Sequence, residues 1–327
     1  MSKISKRLLV SALMSVVIYF VIAVGLIFSQ SSDPSMSGEG LDFDRLARQD
    51  GNEGVPVLSY QARDGARLNY RRFPTIGKDA ALLVLLHGSG WHGQSYLTLG
   101  KMLATRVNVI VPDLRGHGLD PLRRGDVDYI GQFEDDLADL IALERQPGQK
   151  LILAGHSSGG GLVVRYAGGQ YGDTLDRAIL IAPFLKYNAP TTRENSGGWA
   201  QPLTRRIIGL TMLNNVGIGW LNHLTVIQFA FPPAVLKGPL GATATTAYSY
   251  RLNRSFAPRD DYLADAARLP EFLLLAGTDD EAFIASAYEP LLSSVHPSGH
   301  YILLPGIGHL DIIQAPAAGQ AMLDFLN

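Results

Sequence analysis

No cysteine occurs among the 327 residues, which excludes disulfides, thiolate metal ligands and a cysteine nucleophile. The fold must hold by packing alone. An excess of one charge is missing too: 28 Lys and Arg stand against 30 Asp and Glu, a formal net charge of -2. With no Lys/Arg-rich block in the body of the chain, a nucleic acid is not an expected partner. No internal repeat is visible. What remains is 46% hydrophobic and 18% charged, the composition of a globular protein with a sizeable core.

The first thirty residues differ in kind. Lys3, Lys6 and Arg7 precede LLVSALMSVVIYFVIAVGLIF, an uncharged run over residues 8–28 that as a helix covers roughly 30 Å, the thickness of a bilayer's hydrocarbon core. A cleavable signal peptide has a shorter apolar region, usually about 7 to 15 residues, and a small-x-small site. Here the run ends in LIFSQSS. Residues 1–28 are therefore expected to be an uncleaved transmembrane signal anchor, with a cleaved signal or a buried core helix as the alternatives. Basic residues before the run and none just after it place the N-terminus in the cytoplasm and the remainder outside. Residues 29–54, rich in Ser, Gly and acidic residues, read as a flexible linker; a short amphipathic turn over 41–46 is compatible with it.

From Val55 the pattern becomes regular. VLSYQA and ARLNYRRF flank Asp64-Gly65 as a hairpin would. Strands are expected at 81–86, 107–111, 151–154, 178–182, 272–276 and 301–304, with helices at 133–143, 160–171, 282–295 and 312–326. Continuous apolar strands alternating with helices imply an α/β fold, a mostly parallel sheet covered by helices on both faces. Residues 185–262 break the rhythm, with Trp199, Trp220, Phe229 and Phe231 among Pro and Gly breaks and no clean strand. So long an insertion is usually functional; we read it as a helical lid within a domain over 55–327, or else as helices packed on one edge.

The stretch LILAGHSSGGGLVVRY (151–166) sets a hydroxyl between glycines where a buried strand becomes a helix. Gly-x-Ser-x-Gly in that context fits a tight turn that projects Ser157 above the sheet, with Gly155 and Gly159 needed because strand and helix come close. A serine hydroxyl needs a base, and the base needs an orienting partner. His296 and His300 precede the strand YILL and stand at its wrong end. His309 follows it, on the glycine-rich loop of LLPGIGHLDII, and is the expected base. FLLLAGTDDEAF offers Asp279, Asp280 and, more weakly, Glu281 as the acid. Acyl transfer also needs donors aimed at the oxyanion: the amide of Ser158, and from LLVLLHGSGWHG that of Ser89, with Gly90 as substitute. Gly88 and Gly90 let the backbone approach a substrate there. His117 and His156 flank the site and shape it by hydrogen bonds; His92 and His223 are candidates to reach the pocket, and no spacing suggests a metal site. Asp113, which ends a strand, is an alternative acid, but in PDLRGHG it is expected to brace its loop.

HGSG at 87–90, PDLRGHG at 112–118, GHSSGG at 155–160, AGTDDEAF at 276–283 and GIGHLD at 306–311 occur in an order and spacing that resembles the α/β-hydrolase family, particularly its lysophospholipase, monoglyceride-lipase and serine-aminopeptidase-like branch. The resemblance spans roughly 55–327. It implies a nucleophile elbow, no metal or organic cofactor, a lid after the sixth strand, and an acid three residues beyond the strand-ending Gly277, which selects Asp280. The expectation is a membrane-tethered serine hydrolase acting on a small-molecule or lipid ester with an apolar acyl group. The alternatives are a peptidase or amidase on the same triad, and a catalytically silent binding module.

Overall fold

Six runs, five of them apolar and buried along most or all of their length, form the parallel part of an eight-stranded sheet. The computed structural model describes residues 3–33, 40–43, 54–74, 77 and 79–327. In chain order the strands are β1 (Val57–Gln61), β2 (Arg67–Arg72), β3 (Leu82–Leu86), β4 (Asn108–Pro112), β5 (Leu151–His156), β6 (Arg177–Ile181), β10 (Phe272–Gly277) and β11 (Gly299–Leu304), arranged β1-β2-β4-β3-β5-β6-β10-β11. β1 and β2 form the expected antiparallel hairpin and β2 joins β4 antiparallel; every pairing from β4 to β11 is parallel. β3, β4, β5 and β10 are buried at every position, as strands covered on both faces must be. β11 lies at the sheet's edge and keeps exposed positions.

The helices over 132–144 and 158–168 match the expected ones within a few residues. Two others are shorter. In place of a helix over 282–295 there is a single turn over Ala285–Ala287 followed by Tyr288–Leu292, because the amides of Ala282 and Phe283 are already bound to the Asp280 carboxylate. The last helix starts at Pro316 rather than 312, since the residue before a proline disfavours helical angles and Ala315 is extended.

The insertion between β6 and β10 corrects the all-helical expectation. It holds helices, among them Thr204–Asn215, and also a three-stranded antiparallel sheet of β7 (Ala200–Pro202), β8 (Thr225–Phe229) and β9 (Ala247–Ser249). Two of these strands have three residues, too few for an alternating pattern to register.

The N-terminal helix α1 (Lys3–Phe28) leaves most of its apolar surface uncovered. Only its last turns pack, with Ala23 and Ile27 buried against Leu210, Leu213, Val226 and Tyr250 of the insertion. Arg206 donates from Nε to the Ile27 carbonyl at 3.1 Å and from Nη1 to that of Thr225 at 2.7 Å, so one guanidinium satisfies a carbonyl at the helix end and one in β8. In the linker range, Leu41 and Phe43 are buried in the main core, which a freely flexible tether does not do; residues 44–46 of the amphipathic turn lie outside the described residues.

Candidate active site

The adjacent strands β3, β5, β6, β10 and β11 end at one rim, and four of the loops leaving them carry the residues singled out by sequence. Beyond β5, Ser157 adopts φ 54° and ψ -123°, a left-handed conformation costly for a residue with a Cβ. The close approach that permits it is visible at the neighbouring glycines: a Cβ on Gly155 would lie 2.3 Å from the Gly159 carbonyl oxygen, and one on Gly159 would lie 2.5 Å from the Leu86 and His87 oxygens. The Ser157 carbonyl accepts from Gly161 at 3.1 Å and from Phe184 at 2.9 Å, which holds the turn from both sides.

Beyond β10 and β11, Asp280 and His309 are both 2% exposed, and His309 Nδ1 is 2.8 Å from Asp280 Oδ2. The other oxygen, Oδ1, accepts from the amides of Ala282 at 2.8 Å and Phe283 at 2.7 Å. Burial pushes the Asp280 carboxyl up, but the facing imidazole and these hydrogen bonds outweigh it and hold the group below the usual carboxylate range. An ionised acceptor at Oδ2 puts the proton of His309 on Nδ1 and leaves Nε2 with its lone pair, the tautomer a general base requires. His309 and Ser157 line the same cavity. No hydrogen bond joins them in this structure; such contacts are often long until substrate binds.

The rival acids have other tasks. Asp279 is exposed and accepts from the Thr278 hydroxyl at 2.9 Å. Glu281 accepts from the backbone N–H of His309 at 2.7 Å, steadying the loop. Asp113 pairs with Arg71 at 2.7 Å and accepts from the Gly93 amide at 2.8 Å, the bracing role expected of it.

The hydroxyls of Ser89 and Ser158 hydrogen-bond each other at 2.6 Å and tie the loop after β3 to the start of the helix after β5. The Ser158 amide heads that helix, one of the N–H groups a helix leaves unpaired. Gly88 lines the cavity beside Ser89. Gly90 does not have its expected role: its N–H donates to the Tyr248 hydroxyl at 2.6 Å and its carbonyl accepts from Thr245 at 2.8 Å, so both its polar groups serve the insertion. Tyr248 in turn stands 2.7 Å from Nε2 of His117, whose Nδ1 is 3.0 Å from the Arg115 carbonyl. A carbonyl only accepts, so Nδ1 carries the proton and Nε2 takes one from the tyrosine. Tyr248, which links the insertion to the loop after β3, was missed by sequence reasoning; it sits in a three-residue strand with no local signal.

His156 is buried, its ring centroid 4.6 Å from that of His309, and its Nε2 donates to the His309 carbonyl at 2.9 Å. Burial pushes its pKa down to about 3, with the His309 imidazole adding to the effect, so it stays neutral and supports the loop. The two remaining candidates do not reach this cavity. His92 donates to the Thr243 hydroxyl at 2.8 Å and lines a separate groove, while His223 is exposed.

Two chambers of about 60 and 30 Å³ meet at Ser89, Ser157, Trp199 and His309. Phe184, Phe229, Phe256 and Phe283 line the larger, and Leu41, Phe43, Trp91, Tyr96 and Ile313 the smaller.

A family model described as serine aminopeptidase, S33, matches residues 77–311, the segment from before β3 to just past His309. The chain belongs to the serine aminopeptidase S33 family. Its fold is the α/β-hydrolase fold. A soluble variant of monoglyceride lipase from Saccharomyces cerevisiae superposes with a TM-score of 0.65 at 18% identity, covering 86% of this chain and 97% of that one. The crystal structure of a membrane phospholipase A aligns at a TM-score of 0.60 and 22% identity over 99% of this chain and 97% of that one. By sequence, a monoacylglycerol lipase of Mycolicibacterium smegmatis is 29% identical over 128 residues, 38% of this chain and 45% of that protein. The aligned segment spans 35% of the length of the first curated relatives.

Proposed function

We propose that this member of the family is a membrane-tethered serine hydrolase that cleaves carboxylic esters carrying an apolar group, with its catalytic domain outside the cytoplasm. Ser157 attacks the ester carbonyl, and His309 takes the proton and returns it to the leaving alcohol. Asp280 orients the imidazole, and the amides of Ser89 and Ser158 hold the oxyanion until water releases the acyl group. The observation that carries the reading is the buried Asp280–His309 hydrogen bond opening onto the cavity that also exposes Ser157. The names of the relatives, a monoacylglycerol lipase and a membrane phospholipase A, support ester chemistry on lipids. Helix α1, with its basic start and its capped, packed C-terminal end, supports an anchor that stays attached.

The peptidase reading suggested by the family's description needs an acidic group for a free amino terminus. Glu194 is exposed, Asp260 pairs with Lys186 and Arg254 at 2.9 Å each, and Asp261 caps a short helix; none of the three lines the cavity. Esters are therefore favoured. A fluorophosphonate probe is expected to label the wild type and not Ser157→Ala, and p-nitrophenyl esters to be turned over in preference to aminoacyl-arylamides. Labelling of both forms would remove Ser157 from the mechanism, and a preference for the arylamides would replace the esterase with a peptidase.

A further inference from the structure

The residues between α1 and the catalytic domain have the composition of a tether, yet the described parts of it are fastened. At its start, Arg205 donates from Nη2 to the Ser29 carbonyl at 3.0 Å and from its backbone N–H to the Gln30 side chain at 3.1 Å. The Asp33 N–H donates to Gln228 Oε1 at 2.8 Å, and the Gln228 amide returns a bond to the Asp33 carbonyl. Further on, Leu41 and Phe43 are each 5% exposed. The Phe43 ring has its centroid 5.2 Å from Phe231, 5.5 Å from Trp199 and 5.8 Å from Trp91, within the range of attractive aromatic pairs. A Cβ on Gly40 would lie 2.5 Å from the Trp199 backbone nitrogen, so the backbone itself is pressed against the insertion.

Leu41 and Phe43 are also walls of the smaller chamber at the candidate nucleophile, facing Ser89, Ser157, His156 and His309. A spacer has no physical reason to bury a phenylalanine beside a nucleophile. A chamber of about 30 Å³ has room for on the order of two waters, so the ring limits what can lie there. We infer that Phe43, on the segment that connects the membrane helix to the enzyme, is a specificity-determining wall of the active site, setting the size of the apolar group the ester presents to that chamber. The inference rests on the serine-hydrolase reading. It makes Leu41 and Phe43 of the connecting segment part of the pocket, so the bulk of the accepted substrate depends on residues outside the region matched by the family model, 77–311.

The test uses the full chain in detergent micelles and two ester series, one varying the acyl group from acetate to palmitate on p-nitrophenol, the other varying the alcohol on a fixed butyrate. For Phe43→Ala, the ratio of kcat/KM for the longest to the shortest tolerated member rises by about tenfold or more in one series, because hydrophobic pockets discriminate by roughly that factor or more per methylene. Phe43→Leu shifts the same ratio less, and Phe43→Trp shifts it the other way. These two variants keep the test decisive if the alanine variant does not fold. Ratios within about twofold of wild type in both series for the folded variants overturn the assignment. Fluorophosphonate labelling separates the two failures: a wild type that is not labelled sinks the serine-hydrolase reading, whereas labelling with unmoved ratios sinks only the role of Phe43.

Discussion

At Asp280 the role of a residue follows from how its two oxygens are used. One accepts two backbone N–H groups and the other meets His309, so the carboxylate is held ionised and aimed. Asp279, one position earlier, is exposed and bonded to its neighbour Thr278. Asp280→Asn is expected to lower kcat by about 10³ to 10⁴-fold, because an amide facing Nδ1 favours the wrong imidazole tautomer, while Asp279→Asn stays within about threefold. Steady-state kinetics of the two variants check this, and equal effects would mean that the acid is misassigned. The run DDE is plain in the sequence, but choosing among its members there rested on a family resemblance. Contacts distinguish the three independently, since adjacent carboxylates on one turn point in different directions.

Among the elements, those built from local pattern were legible and those built from remote partners were not. β3, β5 and β10 are continuous apolar runs, and the structure has them within two residues of the expected ends. β7 and β9 have three residues each and exist because β8 lies between them. The packing of α1 against the helix Thr204–Asn215 belongs to the second kind. A Cβ on Gly209 would stand 2.5 Å from the Ala23 carbonyl oxygen, so the two helices touch backbone to backbone at that point. Gly209→Val is expected to force them apart at a cost of about 1–3 kcal/mol, read as a lower Tm of the full chain in detergent. An unchanged Tm would mean that α1 is not seated on the insertion in the isolated protein.

For the molecule as a whole, buried histidines set the response to acid. Burial pushes His87 and His92 down to about 4 and His156 to about 3, and drives His117 well below its ordinary value of 6.5. Below about pH 6.5 the unfolded chain binds these protons and the folded chain does not, so stability rises with pH and is lost as pH falls towards the folded values. Each such group contributes up to ~1.4 kcal/mol per pH unit. Carboxylates held low, Asp280 among them, act in the same direction but only below about pH 4. The Tm of the full chain is therefore expected to fall as pH is lowered from about 7 to 5. A flat profile by scanning fluorimetry over that range would show that the imidazoles are not held neutral.

By itself the amino-acid sequence determined the alternation of strands and helices, the turn at GHSSG and the apolar N-terminal run, because each is written in the spacing of neighbouring residues. It also narrowed the candidate base to His309, since only that histidine follows the end of a late strand on a glycine-rich loop. Tertiary structure alone decided that Gly90 serves Tyr248, that the insertion contains a sheet, and that Phe43 leaves an acidic, serine-rich segment to stand beside Ser157. Those outcomes depend on which distant surfaces meet. Phe43 finds Trp91, Trp199 and Phe231 only after the sheet has brought the loop after β3 and the insertion together.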